Sequence, residues 1–370
     1  MHFLDHLAVS WQWLKSYPEE RKRWCYRLHD RQLAPRVFYG YETIPSTGSH
    51  VFGGLVKLQD LQKIFPNSPD RPNILYLVSS SLPVCAVRMA EMAKSAGVKL
   101  VVNQNGVAYP GWYGRGWEQC NRPMKALHQL ADYVVYQSRF CKASSDRFLG
   151  QHCKNSEVLF NPVDTTVFSP FEEWSHGRRV IRLLLAGSHG DFYRPRTAID
   201  VLHRVAQRVN DVELYIAGRF CWRSDQSEAE REIAEYAEKV GVTAKVRFVG
   251  PYTQQEAVEL LRNADILLHT KYNDPCPRLV VEAMACGLPV VYSATGGVPE
   301  LVGDDAGYGV AGPLDWERDH PPDALKLAEG VLHILGRLPE YRAAARKRAV
   351  NLFDVQPWLA RHSEIFTSIL

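Results

Sequence analysis

None of the eight cysteines (25, 85, 120, 141, 153, 221, 276 and 286) stands in a CxxC pair, which removes the zinc-ribbon and dithiol redox readings that such spacing supports. Several sit in apolar runs such as Leu82-Pro-Val-Cys-Ala-Val, the setting of reduced, buried thiols in a cytosolic chain rather than a disulfide frame. No stretch of about 18 uninterrupted apolar residues occurs, which excludes a spanning helix. The amino terminus, Met-His-Phe-Leu-Asp-His, has neither the basic region nor the apolar core of a cleavable leader, so a cytoplasmic location is expected. Charge of one sign is also lacking: 44 basic against 41 acidic residues leave +3, too little to argue for nucleic acid as a partner. A Gly-x-Ser-x-Gly elbow is absent, as is a Gly-x-Gly-x-x-Gly after the first strand, so hydrolase and dinucleotide-dehydrogenase readings lack their chemistry.

What is present is ordinary globular material, 46% hydrophobic and 23% charged over 370 residues, enough for about two domains. Short apolar runs alternate with amphipathic stretches, the mark of βα units around parallel sheets. The first set of predicted strands is Arg36-Val-Phe-Tyr-Gly, Asn73-Ile-Leu-Tyr-Leu-Val, Val98-Lys-Leu-Val-Val and Tyr133-Val-Val-Tyr. The second begins at Ile181 and continues at Val212, Val246, Ile266 and Leu288. Two prolines in Asn161-Pro-Val-Asp-Thr-Thr-Val-Phe-Ser-Pro170 interrupt the periodicity. The expected domains are therefore 1–170, 171–354 and a final helix over 355–370. Residues 1–170 carry 20 basic and 13 acidic side chains (+7), and 171–370 carry 24 and 28 (−4), a difference that suggests modules with different partners.

Chemistry concentrates in Asn273-Asp-Pro-Cys-Pro-Arg-Leu-Val-Val-Glu282-Ala-Met-Ala-Cys-Gly287. Asp274 is placed as an N-cap with Pro275 in the first turn. Glu282 lies among Val280, Val281, Ala283 and Met284, so it is expected to be buried and to need hydrogen-bond donors, which a ribose diol would supply. Eight residues of helix would set both carboxylates on one face.

Asp274 through Glu282, followed by Ala283-Met-Ala-Cys-Gly-Leu-Pro-Val-Val and Thr295-Gly-Gly-Val-Pro-Glu300, closely resembles the EX7E region of retaining GT-B glycosyltransferases of family 4. Leu183-Leu-Leu-Ala-Gly, Leu214-Tyr-Ile-Ala-Gly and Phe248-Val-Gly fall in the family's order, and the resemblance spans about 300 residues. It implies an α/β fold of the GT-B type: two Rossmann-like, doubly wound domains facing across a cleft, with the last helix crossing back to the first. By the same resemblance Glu282 holds the nucleotide ribose and Asp274, in place of the usual glutamate, meets the donor sugar. Pro275 and Pro277 stand where the family has glycines, so a lost backbone N–H contact falls to Arg278. The family's Arg and Lys after the first strand of the second domain are represented in Gly187-Ser-His-Gly-Asp-Phe-Tyr-Arg-Pro-Arg196 by Arg194 and Arg196, with no lysine. Either these two hold the diphosphate or one of them faces solvent. Gly296 and Gly297 offer backbone to phosphate, or form a plain tight turn.

In the first domain the resemblance aligns Thr47-Gly-Ser-His-Val-Phe-Gly53-Gly54 with a glycine-rich loop facing the donor; a flexible connector is the alternative. Asn105, before Gly106, stands at the family's histidine site and is able to hydrogen-bond a sugar hydroxyl but not to exchange protons. The aromatic loop Tyr109 to Trp117 either stacks on an acceptor ring or is hydrophobic cover. No Asp-x-Asp occurs, which argues against a metal-bridged diphosphate, and no metal site or cofactor is expected. The basic, aromatic segment Trp11 to Arg27 either lies on an anionic membrane or packs its tryptophans on the first domain.

The resemblance therefore implies a metal-independent, retaining hexosyl- or N-acetylhexosaminyl-transferase acting in polysaccharide biosynthesis. The expected donor is a UDP- or GDP-linked sugar and the acceptor a glycan or lipid-linked hydroxyl. Transfer is expected on one face of the sugar, the departing phosphate taking the acceptor's proton. The place expected for it is the cytoplasm, with peripheral contact at the inner face of the membrane. The Asp274, Asn105 and missing-lysine departures motivate one rival, a degenerate GT-B protein that binds or scaffolds without transfer; a GT-B epimerase or phosphorylase is a third option.

Overall fold

A computed structural model describes residues 17–25, 34–46, 53–171 and 180–370. The chain divides into two compact units: 1–160 with 316–318 and 355–370, and 161–315 with 319–354. The break thus falls between Phe160 and Asn161, ten residues before the prolines end. Residues 161–170 are bonded into the second unit. Asn161 Nδ2 donates to the Cys276 carbonyl at 2.7 Å, and Arg346 donates to the carbonyls of Thr165 and Phe168.

The first unit holds a parallel sheet in chain order: β1 (Val37–Phe38), β2 (Ile74–Val78), β3 (Lys99–Gln104), β4 (Tyr133–Tyr136) and β5 (Asn155–Val158). Every residue of β2, Ile-Leu-Tyr-Leu-Val, is buried, as a parallel strand covered on both faces requires. The helix Val355–Ile369 packs here, with Trp358, Leu359 and Phe366 in the core that includes Tyr39 and Tyr76. A buried polar chain runs into that helix. Gln137 Nε2 donates to Asn103 Oδ1, Asn103 Nδ2 donates to Tyr76 Oη, and Tyr76 Oη meets His362 Nε2 at 3.0 Å. His362 Nδ1 donates to the Trp358 carbonyl, so Nε2 is the acceptor and the ring is neutral.

Burial pushes the His362 pKa down to about 4. Because the folded value lies below the ordinary ~6.5, the stabilisation is whole above pH ~6.5 and is lost as pH falls from there towards 4, by about 1.4 kcal/mol per unit. His362→Gln keeps hydrogen-bonding capacity and does not titrate. It should therefore flatten the fall of Tm between pH 6.5 and 4.5; a slope equal to that of the unmodified chain would contradict this account.

Of the segment Trp11 to Arg27, only residues 17–25 are described, helical over 17–24. Trp24 is buried, its indole N–H on Glu20, and its ring lies 6.2 Å from Phe38, the packing alternative for that tryptophan. Trp11 and Trp13 lie outside the described residues. No described helix is long and apolar enough to cross a membrane. Cys141, Cys276 and Cys286 are buried, Cys85 in the run from Leu82 is half-buried, and Cys25, Cys153 and Cys221 are exposed thiols.

The second unit has six parallel strands in the order β11-β10-β9-β6-β7-β8, with β6 (Ile181–Leu185), β7 (Val212–Ala217), β8 (Val246–Gly250), β9 (Ile266–His269), β10 (Val290–Ala294) and β11 (Gly307–Ala311). From β6 the chain builds outward to β8, then returns to the other side of β6 with β9. The order reverses between β6 and β9. Loops leaving the carboxyl ends of those strands diverge there and open a crevice, the usual ligand position in an open α/β sheet.

Candidate functional site

The loop after β6 is shaped by close backbone approach. Gly187 has φ +102°, and a Cβ on Gly218 would stand 1.9 Å from the Gly187 carbonyl. His189 is fully buried. Its N–H donates to the Arg219 carbonyl, its own carbonyl accepts from Cys221, and its Nε2 donates to the Ala217 carbonyl at 3.0 Å. Burial, reinforced by Arg194, pushes its pKa down to about 3. A neutral imidazole therefore pins this loop to the one after β7.

Arg194 lies in the first turn of the helix Tyr193–Ala206, 5% exposed, with Nη1 on the Ser188 carbonyl and a buried, unpartnered Nε. The loop after β9 is tied to the same turn twice: Thr270 Oγ1 donates to the Arg194 carbonyl, and the Tyr272 N–H donates to Tyr193 Oη at 3.0 Å.

Asp274 is not an N-cap. The helix runs Arg278–Ala285, with Pro277 at its N-cap and no side-chain cap. Residues before proline avoid the helical region, so Pro275 and Pro277 disfavour helix at Asp274 and Cys276, and the N-cap stands three positions later than expected. The shared helix face therefore does not exist. Asp274 is nevertheless buried, with Oδ2 3.2 Å from both His269 Nε2 and Lys271 Nζ. Burial alone would raise its pKa, but Lys271, His269 and Arg194 together hold it well below the usual carboxylate range. An ionised carboxylate only accepts, which puts the His269 proton on Nε2. Its Nδ1 is buried without a partner, and burial lowers its pKa.

Glu282 is 9% exposed, and the donor that offsets its burial is Arg278, whose Nε stands 2.8 Å from Oε1 one turn away. Arg278, expected at the phosphate, here holds the Glu282 carboxylate four residues further along the helix. Tyr252, after β8, is half-buried; desolvation and Glu282 push its pKa up, while Arg194 and the Gly187 N–H oppose the rise. Asp319 sits within electrostatic reach of Lys271 and His320, its pKa pushed up to about 6 by burial and by Asp191.

Gly296 and Gly297 also act differently from the phosphate reading. The Gly297 N–H donates to the Asp274 carbonyl at 2.8 Å, and a Cβ on Gly296 (φ +71°) would lie 2.5 Å from that oxygen. Their bareness lets the loop after β10 seat against Asn273 and Asp274, and the Gly297 N–H is spent there. Arg196, two residues beyond Arg194 on the helix, is exposed on another side, acting on Tyr236. Of the two alternatives for these arginines, this exposure matches the one in which one of them faces solvent.

In the first unit, Gly54 opens the helix Gly53–Leu61 against the loop after β2, where a Cβ would meet Ser81 Oγ at 2.2 Å; Gly53 faces open space. Residues 47–52 of the predicted glycine-rich loop lie outside the described residues. Asn105 follows β3; its Oδ1 accepts from the Gly106 N–H, and its own N–H donates to Ser79 Oγ. Trp112 and Tyr113 are about half exposed, beside Tyr109, which packs edge-on to Trp316.

Sequence reasoning missed Lys271, His269 and Tyr252, because each reaches the site through sheet order rather than through a local pattern. The available signal was position: each directly ends or follows a strand of the second set. Among the described residues no group of three or more His, Cys, Asp or Glu side chains converges to hold a metal ion.

Residues 183–318 match the family described as Glycosyl transferases group 1. The D-inositol 3-phosphate glycosyltransferase of Mycobacterium leprae (strain Br4923) is 30% identical over 205 residues, 53% of this chain and 44% of that protein. The chain thus spans less than half the length of the curated relatives it matches. Anabaena HepE, solved in complex with UDP and glucose, superposes with a TM-score of 0.66 at 19% identity, covering 80% of this chain and 78% of that one. Sucrose-phosphate synthase from Thermosynechococcus elongatus gives 0.64 at 17% identity, covering 84% and 76%. The chain therefore has the GT-B fold, and its second unit carries a Glycosyl transferases group 1 segment.

Proposed function

We propose that the chain is a glycosyltransferase moving a hexosyl or N-acetylhexosaminyl group from a nucleotide-diphosphate sugar to a hydroxyl of a glycan or lipid-linked acceptor. One observation carries this reading. At the reversal point of the second sheet an ionised Asp274 is ringed by His269, Lys271 and Arg194, inside the matched segment. A carboxylate fixed in that state accepts hydrogen bonds from sugar hydroxyls. Glu282, oriented by Arg278, takes the ribose diol. The solved neighbour holding UDP and glucose favours a uridine donor over a guanosine one.

In the reaction the bond from the anomeric carbon to the phosphate oxygen breaks and the acceptor oxygen bonds to that carbon. The acceptor's proton passes to the departing phosphate, on the same face, so configuration is retained. Negative charge grows on the leaving diphosphate, and fixed cations of the crevice lower the barrier without a metal. Asn105 of the first unit serves the acceptor side. We place the reaction in the cytoplasm, at the inner face of the membrane.

Purified chain incubated with a panel of UDP- and GDP-sugars should release nucleotide diphosphate slowly from one of them, with EDTA present, and should give product of the donor's anomeric configuration. Binding of sugar nucleotides without release, at any acceptor tested, would reject transfer in favour of a binding or scaffolding protein. Flotation with anionic vesicles tests the membrane placement.

A further inference from the structure

Two cations act on Asp274, and they differ in what else they are able to meet. Arg194 is 5% exposed, with Nη1 committed to the Ser188 carbonyl. Lys271 keeps 30% of its side chain exposed, and its ammonium lies 3.2 Å from Asp274 Oδ2. Of the other cations near the crevice, Arg278 is paired with Glu282 and is 12% exposed. Lys271 is thus the ammonium able to turn to a ligand arriving from solvent without breaking a buried arrangement.

We propose that Lys271 exchanges its contact with Asp274 for the phosphate oxygens of the donor's diphosphate. This assignment rests on the functional reading above. The exchange is permitted because Asp274 would not be stranded. His269 Nε2 remains 3.2 Å from the same oxygen, and Arg194 still acts on the carboxylate. Breaking a buried pair is strongly unfavourable only when it leaves a charge without compensation. An ammonium on a four-carbon stem suits the role. It is a compact charge with three donors that can be re-aimed, unlike a guanidinium locked in a fork. Asp319 also feels Lys271. The stretch Thr270-Lys-Tyr-Asn-Asp274 then has two tasks. Its carboxylate faces the sugar and its ammonium the phosphates.

The test is calorimetric titration of the full chain with UDP, inorganic pyrophosphate and uridine. Lys271→Met should weaken UDP and pyrophosphate about 10- to 100-fold, the range of a charge-assisted hydrogen bond, and leave uridine unchanged. Lys271→Arg should restore most of the loss, and the salt dependence of UDP binding should be shallower in Lys271→Met. UDP and pyrophosphate affinities in Lys271→Met equal to those of the unmodified chain would overturn the assignment alone. Equal loss for UDP and uridine would also overturn it, assigning Lys271 a purely structural part. An unmodified chain that binds neither UDP nor uridine removes the functional reading, and this assignment with it.

Discussion

Asp274→Asn should lower turnover on the identified donor by about 10²- to 10³-fold, the loss typical of removing one preorganised electrostatic group from a reacting centre. The substitution is nearly isosteric, so what disappears is charge. His269 Nε2, Lys271 and Arg194 all act on that carboxylate. An amide leaves Arg194, buried and with an unpartnered Nε, without the anion that offsets its desolvation. A fall in Tm accompanies the kinetic loss, since stranding a buried charge costs about 3–5 kcal/mol. The pH dependence has a definite sign. The folded pKa of Asp274 lies below the ordinary ~3.9, so its contribution is whole above pH ~4 and fades only as pH falls towards the lowered folded value. Thermal melts at pH 7 and kinetics under saturating donor check both parts; turnover within threefold of the unmodified chain would remove Asp274 from the centre.

Glu282→Ala is the second large effect, and it separates binding from folding. Alanine removes the carboxylate that Arg278, 12% exposed, is paired with, and loss of one partner of a buried pair should lower stability by up to about 3–5 kcal/mol. If Glu282 also receives the ribose diol, UDP affinity falls at least about tenfold, one charge-assisted hydrogen bond or more. The double variant Glu282→Ala with Arg278→Leu distinguishes the two roles. Replacing both partners by apolar groups restores most of the stability but none of the nucleotide affinity. Recovery of both together would show that Glu282 is only half of a structural ion pair.

Much of the fold could be read from local pattern, and the exceptions have physical causes. Tyr133–Tyr136 and Ile266–His269 stand where their apolar runs predict, because a parallel strand buried on both faces cannot hide its composition. β11, Gly307–Ala311, was not legible: two glycines in five residues weaken strand propensity, and Gly307 and Gly309 are there because a Cβ would strike the Val290 carbonyl and the Tyr292 ring. β5, Asn155–Val158, carries one apolar residue and is partly exposed, so it gives no apolar run to detect.

The site divides in the same way. Glu282 announced itself because a carboxylate in an apolar run is anomalous wherever it falls, and Asp274 by its eight-residue spacing from Glu282 and the resemblance that both carry. Lys271 did not, since a lysine after a strand is common, and only the reversal between β6 and β9 makes that loop special. The resemblance left open whether Arg194 and Arg196 both meet the diphosphate or one faces solvent, and a helix beginning at Tyr193 buries the first and exposes the second. Gly296 and Gly297 were read either as backbone for phosphate or as a tight turn, and the contact of this turn with the Asp274 carbonyl could not be read from the sequence.

The prolines that delay the helix have an effect beyond its start. With Pro275 and Pro277 restricting the backbone, Gly297 bonded to the Asp274 carbonyl, and Tyr272 and Asn273 bonded to Tyr193 and Thr295, residues 272–277 have few conformations to lose when a ligand arrives. Their ordering entropy is surrendered during folding, and partly by the unfolded chain, rather than at each binding event. Selection among donors at this loop is therefore a matter of fit to a surface that already exists, with the lysine ammonium as its adjustable part.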